Sequence, residues 1–306
     1  MPPIRAFALV LGTAAALVAF SAAPAAAHGN PGVQSTNYDV RVRSLIPSVD
    51  DVQVRPVDLG QQLELSNHSD EPVEILDFEG RLILRVQPGA TGRWHEHRAV
   101  WNDGEPPVVQ RDRDHRHVVR TWEVELRRGD QQIVVTGDIV WVPPPSPWPW
   151  VALAGAVAVL LVIATRTARW RSALATALAV AVAATGLQLI GRWGATTESL
   201  ATKSAEGVYG LAGMALGITA LIWLVRARDP YAATPAVLVA GVVIVIASGL
   251  AHVGLLGHSQ LATTLPPSLA RLAVAAALGL GGGLVVAAAW RLRPVGPRPQ
   301  PRAAGG

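Results

Sequence analysis

The sequence predicts two parts of different fold class: an all-β exported domain, followed by an all-α transmembrane domain of five helices. Three observations support this. Residues 28–147 are polar and rich in charge, whereas 148–290 consist mostly of Ala, Val, Leu and Gly. The first region alternates between apolar and polar residues over short stretches, and the second contains long apolar segments. The first segment of all, 1–27, is typical of an export signal.

The predicted signal peptide has a basic start, an apolar centre and a small-residue cleavage site. Arg5 supplies the charge, 6–20 form the apolar stretch, and Ala25-Ala26-Ala27 is the cleavage site. Cleavage there leaves His28 as the new N-terminus. An N-terminal histidine offers its α-amine and its imidazole to one metal ion.

The exported domain, 28–142, is predicted to be an antiparallel β-sandwich of immunoglobulin-like or cupredoxin-like build. Short alternating stretches separated by Gly, Pro, Asn and Asp favour seven or eight strands. The clearest strand-like stretches are 38–42, 62–66, 81–86, 118–126 and 133–142. A proline- and tryptophan-rich linker, 143–150, connects this domain to the membrane segments.

The transmembrane domain, 151–290, is predicted from five apolar segments, each long enough to cross a hydrocarbon core of about 30 Å. Arginines follow the first, third and fifth segments, which predicts that the exported domain lies outside and the C-terminus inside. The tail, 291–306, is Pro-, Arg- and Gly-rich and is predicted to be disordered and cytoplasmic. The apolar segments are 148–165, 172–190, 208–225, 235–256 and 269–290.

Composition excludes several functions. The net charge of +4 is the sum of an acidic exported region and a basic membrane region, so it does not indicate nucleic-acid binding. The absence of cysteine excludes disulfides, thiolate metal sites and cysteine nucleophiles. No phosphate-binding, nucleophile-elbow, zinc-protease or dinucleotide motif is present, so an enzyme is not predicted.

Histidines are the best candidates for chemistry, and four of them form two His-x-His pairs. Residues two apart project from the same face of a strand, so each pair would present two imidazoles together. Imidazoles, with oxygen from Glu96, Asp112 or Asp114, suit Cu(II) or Zn(II). The alternative is an ordinary solvated strand or loop, in which nearby arginines repel a cation. The candidate metal ligands are His28, His95, His97, His115 and His117.

Within the apolar helices, Gln188, His252 and Arg271 are the polar residues expected to matter, because polar groups in a membrane are costly. His252 and His258 lie on the side of the exported domain, so they are candidates to receive an ion from it. The alternative is that His252 forms a hydrogen bond between helices.

The layout resembles that of bacterial copper-resistance proteins of the C and D type, in which an exported β-sandwich begins with histidine and is in some bacteria fused to membrane helices. The residues that carry the likeness are His28 after Ala25-Ala26-Ala27 and, more weakly, the closing stretch 136–142. The family's Asp-Gly-His-Pro segment is absent, and five helices are fewer than its D-type members have. The resemblance implies copper(II) as the ligand and His28 as its terminal ligand.

Two functions follow from these observations. The first is a membrane-anchored extracytoplasmic protein that binds Cu(II) or a similar ion for metal resistance or homeostasis. The second is a non-enzymatic interaction module that contacts a protein of the cell envelope and binds no metal. In both, the lipid bilayer is a partner and nucleic acid is not.

Overall fold

The computed structural model describes residues 34–292, and all structural statements below concern that range. The predicted signal peptide, the candidate ligand His28 and all but two residues of the predicted tail lie outside it. The described chain forms antiparallel sheets up to Trp141 and helices from Trp148 onward. The division predicted from composition is therefore confirmed.

Eight strands make up the N-terminal region, and the five predicted stretches lie in β1, β3, β5, β7 and β8 to within one residue. The strands are β1 (Tyr38–Ile46), β2 (Val52–Val57), β3 (Gln62–Asn67), β4 (Val73–Leu76), β5 (Leu82–Val86), β6 (Thr91–His95), β7 (His117–Arg128) and β8 (Gln131–Trp141).

The strands form two antiparallel sheets. One has five strands in the order β1-β8-β7-β4-β5, and the other has three in the order β2-β3-β6. Buried side chains of both sheets belong to one hydrophobic core; Leu63 and Leu65 come from the smaller sheet, and Ile75 and Val124 from the larger. This region is the β domain.

This core forms because buried apolar residues alternate with exposed residues along the strands. In β7, Trp122, Val124 and Leu126 are buried while the residues between them are exposed, as expected for a strand with one face on a core. Gly137 on β8 is opposite Trp122 in the sheet. A Cβ at Gly137 would overlap the Trp122 ring, so the bulky indole requires a glycine there.

Six α-helices follow the chain order, the first of them a single short turn within the β domain. They are α1 (Pro107–Arg111), α2 (Trp148–Ala164), α3 (Trp170–Ala195), α4 (Leu200–Arg226), α5 (Thr234–Ile244) and α6 (Pro267–Arg291). Beyond α5 the chain continues as a π-helical turn, Val245–Gly249, and a 3₁₀ segment, Leu250–Leu256.

Four helical segments among the described residues are long and apolar enough to cross a membrane: Trp170–Ala195, Gly207–Arg226, Pro230–Leu256 and Pro267–Arg291. The apolar helix α2 is shorter, at 17 residues. The multi-pass membrane character predicted from the sequence is thus supported by four segments.

Small residues allow the helices to approach closely. A Cβ at Gly279 of α6 would lie 2.6 Å from the carbonyl oxygen of Ala154 in α2. A Cβ at Gly217 of α4 would overlap the side chain of Val182 in α3. These contacts are too close for any larger residue.

Arginines hold together the helix ends that lie far from the β domain. Arg171 donates hydrogen bonds to the carbonyls of Leu224, Val225 and Ala227 at the end of α4. Arg291 at the end of α6 lies over the ring of Trp170, 3.9 Å from its centroid. Cationic side chains thus collect at one end of the helical part.

The opposite end of the helical part carries the β domain. Thr36 and Gln260 exchange two backbone hydrogen bonds of 3.0 and 2.9 Å. The Asp58 carboxylate accepts hydrogen bonds from the backbone nitrogen (3.1 Å) and the hydroxyl (2.8 Å) of Thr197, in the α3–α4 connection. These contacts form the junction between the two parts of the chain.

Candidate functional site

Both histidines of the second pair, His115 and His117, form hydrogen bonds with Asp112. Nδ1 of His115 lies 2.7 Å from the Asp112 carboxylate. Nε2 of His117 lies 2.6 Å from the Asp112 carbonyl oxygen and 3.6 Å from its carboxylate. We call Asp112, His115 and His117 the Asp112 cluster.

These hydrogen bonds fix the imidazole tautomers. A carboxylate and a carbonyl only accept, so His115 donates through Nδ1–H and His117 donates through Nε2–H. The lone pair then lies on Nε2 of His115 and on Nδ1 of His117. Histidines that bind metals usually donate their other ring N–H to a carboxylate or carbonyl in this way.

The two ionisable partners stabilise each other's charge. The hydrogen bond to Asp112 raises the pKa of His115 above its ordinary value, and the negative charge of Asp112 acts in the same direction. The reciprocal bond from His115 lowers the pKa of the Asp112 carboxyl. The His115 side chain is 77% exposed, so a ligand can reach it from solvent.

The loop that carries His115 is fixed to the sheet at its start. Trp141 of β8 donates its indole N–H to the carbonyl of Arg113 at 3.1 Å. Trp141 pairs with His117 on one side and with Tyr38 of β1 on the other. The Asp112 cluster therefore lies at the same end of the sheet as the point where the chain enters β1.

The first pair, His95 and His97, is not presented by one strand. β6 ends at His95, and His97 begins a 3₁₀ turn. The cause is Glu96, which accepts a hydrogen bond from the backbone nitrogen of Arg98 and thereby ends the strand. One strand therefore does not carry both histidines of this pair. Both are exposed, with the buried Glu96 between them, and their role as metal ligands stays a prediction.

Glu96, which the sequence predicts as an oxygen ligand, already forms an ion pair with an arginine. Its carboxylate is 5% exposed and accepts two side-chain hydrogen bonds from Arg98, of 2.7 and 2.9 Å. Burial disfavours its ionisation, but the bonds and charge of Arg98 outweigh that and hold the pKa of Glu96 below its usual value. A metal at Glu96 would have to displace Arg98.

The second pair also departs from strand geometry, because β7 begins at His117 and His115 lies in the loop before it. The two pairs are on different sheets, β6 in the smaller and β7 in the larger. Within residues 34–292, no three or more His, Asp or Glu side chains are grouped to hold a metal ion. The Asp112 cluster is thus a hydrogen-bonded arrangement and not a ready coordination shell.

The polar residues of the helical part differ in their surroundings: two of them line a cavity, and the third forms hydrogen bonds outside it. Gln188 and His252 line the same cavity, of about 90 Å³, enclosed by α3, α4 and the segment after α5. Arg271 does not line it: its guanidinium donates hydrogen bonds to the carbonyls of Leu255 (3.2 Å) and His258 (3.1 Å). Arg271 thus stabilises the end of the irregular helix.

Irregular backbone shapes the wall of this cavity. The π-helical turn Val245–Gly249 carries Ser248, and the 3₁₀ segment that follows carries His252. Single π-helical turns within α-helices frequently occur at functional sites. Both side chains line the cavity.

Comparison of the chain with protein-family models, with curated proteins and with solved structures finds no match. The likeness to copper-resistance proteins therefore stays a prediction.

Sequence reasoning missed the Asp58–Thr197 contact and the cavity. Asp58 has φ 51°, in the left-handed region, and it is 6% exposed. Asp-Leu-Gly at 58–60 is a turn signal, but no sequence pattern relates it to a residue 139 positions later.

Proposed function

We propose that the protein is a five-span membrane protein with its β domain outside the cell membrane and its C-terminus in the cytoplasm. At 1.5 Å per residue, the 17 residues of α2 extend about 26 Å, close to the core of a bilayer. Trp148, which is 73% exposed, lies at its start, as expected of an interfacial anchor. The arginines at the end of the helices away from the β domain support the proposed orientation.

Cysteine labelling tests this topology on a clean background, because the chain has no cysteine. Asp130→Cys places a thiol in the β7–β8 turn, and Arg169→Cys places one between α2 and α3. In right-side-out vesicles, a membrane-impermeant maleimide should label position 130 at once and position 169 only after permeabilisation. Labelling of both positions from outside would show that α2 does not cross, and the reverse pattern would invert the orientation.

We further propose that the β domain binds Cu(II) or a similar divalent ion for metal resistance or homeostasis. The observation that carries this proposal is the Asp112 cluster, in which one residue orients two imidazoles and leaves one nitrogen of each with its lone pair. No catalytic step is part of the proposal.

The chain between His28 and the sheet is long enough for His28 to reach this site. His117 and Tyr38 flank Trp141 on neighbouring strands, so they are about two strand spacings, or about 10 Å, apart. His28 precedes Thr36, which is bonded to Gln260, by eight positions, and eight residues extend at most about 29 Å. The length of the intervening chain therefore permits His28, the terminal ligand implied by the resemblance, to share an ion with the Asp112 cluster.

The test is a Cu(II) and Zn(II) titration of the full chain in detergent, processed to begin at His28. We expect the double variant His115→Ala/His117→Ala to abolish tight binding. Asp112→Asn should weaken it about 10- to 100-fold, as for loss of an orienting partner. His68→Ala, in an exposed turn, is the matched control, and His95→Ala/His97→Ala tests the first pair. Absence of tight binding, or no loss in the double variant, would refute the metal proposal.

A second candidate function, docking to an envelope protein, is favoured by one apolar patch. Phe78, Leu82 and Ile83 are 79, 53 and 43% exposed. They lie in and beside β5, which is an edge strand of the larger sheet, and exposed apolar edges pair readily with other chains. A photo-crosslinking residue at Phe78 should give one discrete adduct in native membranes, whereas one at the exposed Val118 should not. Equal labelling at both positions would contradict docking at this edge.

A further inference from the structure

Two adjoining cavities lie beneath the β domain. The inner cavity, of about 90 Å³, lies between α3, α4 and the segment after α5. The outer cavity, of about 300 Å³, lies between that segment and residues 34–35, where the chain enters the β domain. His252 and Ala251 line both cavities, so the outer cavity leads from the β-domain side to the inner one.

The inner cavity contains polar groups that the protein leaves without partners. Gln188 is 3% exposed, and within the described residues neither its amide nitrogen nor its amide oxygen has a hydrogen-bond partner. Buried polar groups are almost always paired, and each exception calls for an explanation.

Packing does not account for Gln188. A leucine of similar volume would fill the same position in an apolar helix without the cost of an unpaired amide. The π-helical turn opposite it also weakens regular helix bonding at this depth. An unpaired amide and a broken helix that border the same cavity are the features expected of a ligand site.

The chemistry of the unpaired groups defines the ligand class. The Gln188 oxygen requires a donor and its nitrogen requires an acceptor. The amide is neutral, the cationic Arg192 that also lines the cavity already has a partner, and a charged ligand is costly within a membrane. We propose that the cavity binds a small neutral solute that carries both a hydrogen-bond donor and an acceptor, such as a primary amide or urea, entering from the β-domain side. This site is separate from the Asp112 cluster and does not depend on metal binding.

Saturation-transfer NMR on the full chain in deuterated maltoside detergent tests the proposal, because it detects weak ligands. The probes are acetamide and urea, with N,N-dimethylacetamide, which accepts but does not donate, as the chemical control. We expect transfer to acetamide and urea and little to the dimethyl compound. Equal transfer to all three, or none to any, would overturn the proposal.

Variants locate the site. Gln188→Leu should weaken acetamide binding about tenfold, as for the loss of one or two neutral hydrogen bonds. Ala247→Leu fills the same cavity from another wall and should weaken binding without touching the amide. The matched control is Thr234→Val, which removes another buried hydroxyl that has no partner among the described residues but does not line the cavity. Binding that survives both cavity variants would overturn the assignment.

The melting temperature of Gln188→Leu gives a second readout that also verifies folding. Because the substitution removes two unpaired polar atoms, we expect the melting temperature to stay the same or to rise. A fall would show that the amide forms stabilising bonds within the protein, which contradicts the premise that it has no protein partner.

Discussion

The Asp58–Thr197 contact should control how firmly the β domain is attached to the helices. The perturbation is Asp58→Gly, which removes the carboxylate and keeps a residue suited to the left-handed φ of 51°. Both hydrogen bonds from Thr197, at 3.1 and 2.8 Å, are lost in this variant.

The size of the effect follows from burial and charge. Hydrogen bonds to a charged group contribute about 1.5–3 kcal/mol, and Asp58 is only 6% exposed, so solvent screens them little. We expect the free energy of opening the junction to fall by about 2 kcal/mol, or about 30-fold in the opening equilibrium. Thr197→Val, which removes one of the two bonds, should give about half that change in free energy.

Hydrogen exchange with mass spectrometry measures this opening. The useful reporters are the backbone amides of Thr36 and Gln260. Elsewhere in the junction, each donates a hydrogen bond to the carbonyl oxygen of the other residue, and neither residue touches Asp58. Their exchange should accelerate about 30-fold in Asp58→Gly and stay unchanged in the control Asp130→Gly, at an exposed turn. If these amides exchange at the same rate in Asp58→Gly, the junction does not open as one unit and the reasoning is refuted.

Three further predictions concern packing and protonation. Gly137→Ala should lower the free energy of unfolding of the β domain by about 1–3 kcal/mol, because its Cβ would overlap the Trp122 ring. Gly279→Val should destabilise the helical part by a similar amount, about 1–3 kcal/mol, measured by thermal unfolding in detergent. Asp112→Asn should lower the pKa of His115 towards about 6.5, followed by NMR of its ring protons. The bond raises the folded-state pKa of His115 and lowers that of Asp112, so the pair stabilises the fold fully between about pH 4 and about pH 6.5. The effect is lost as the pH rises through the raised pKa of His115 or falls through the lowered pKa of Asp112.

Each of these has a matched control in the chain. At Gly104 and Gly282 an added Cβ has no atom within 4 Å, so Gly104→Ala and Gly282→Val should not create the overlap that destabilises their counterparts. Asp130→Asn, at the far end of β7 from His117, should leave the pKa of His115 unchanged. If a variant and its control have equal effects, the physical cause stated for that variant is wrong.

Local patterns predicted most of the fold because they depend on neighbours in sequence. The alternation from Trp122 to Leu126 needs only one buried face, and the length of α3 needs only its run of apolar residues. The two-sheet arrangement is consistent with the predicted sandwich. Its immunoglobulin-like or cupredoxin-like build, and the fifth membrane span, stay predictions.

The site was harder to predict because it depends on contacts between distant residues. The spacing of His95 and His97 indicated a strand, but the bond from Arg98 to Glu96 ends the strand between them. Gln188 and His252 were singled out as polar residues in apolar helices. Their convergence depends on helix packing, which has no sequence signature here.

The most direct test of the metal proposal is electron paramagnetic resonance of the full chain, processed to begin at His28, with one equivalent of Cu(II). The account predicts nitrogen hyperfine coupling from imidazoles, lost in His115→Ala/His117→Ala and kept in His68→Ala. A spectrum of hydrated copper, or imidazole coupling that is unchanged in the double variant, would contradict the proposed site at the Asp112 cluster.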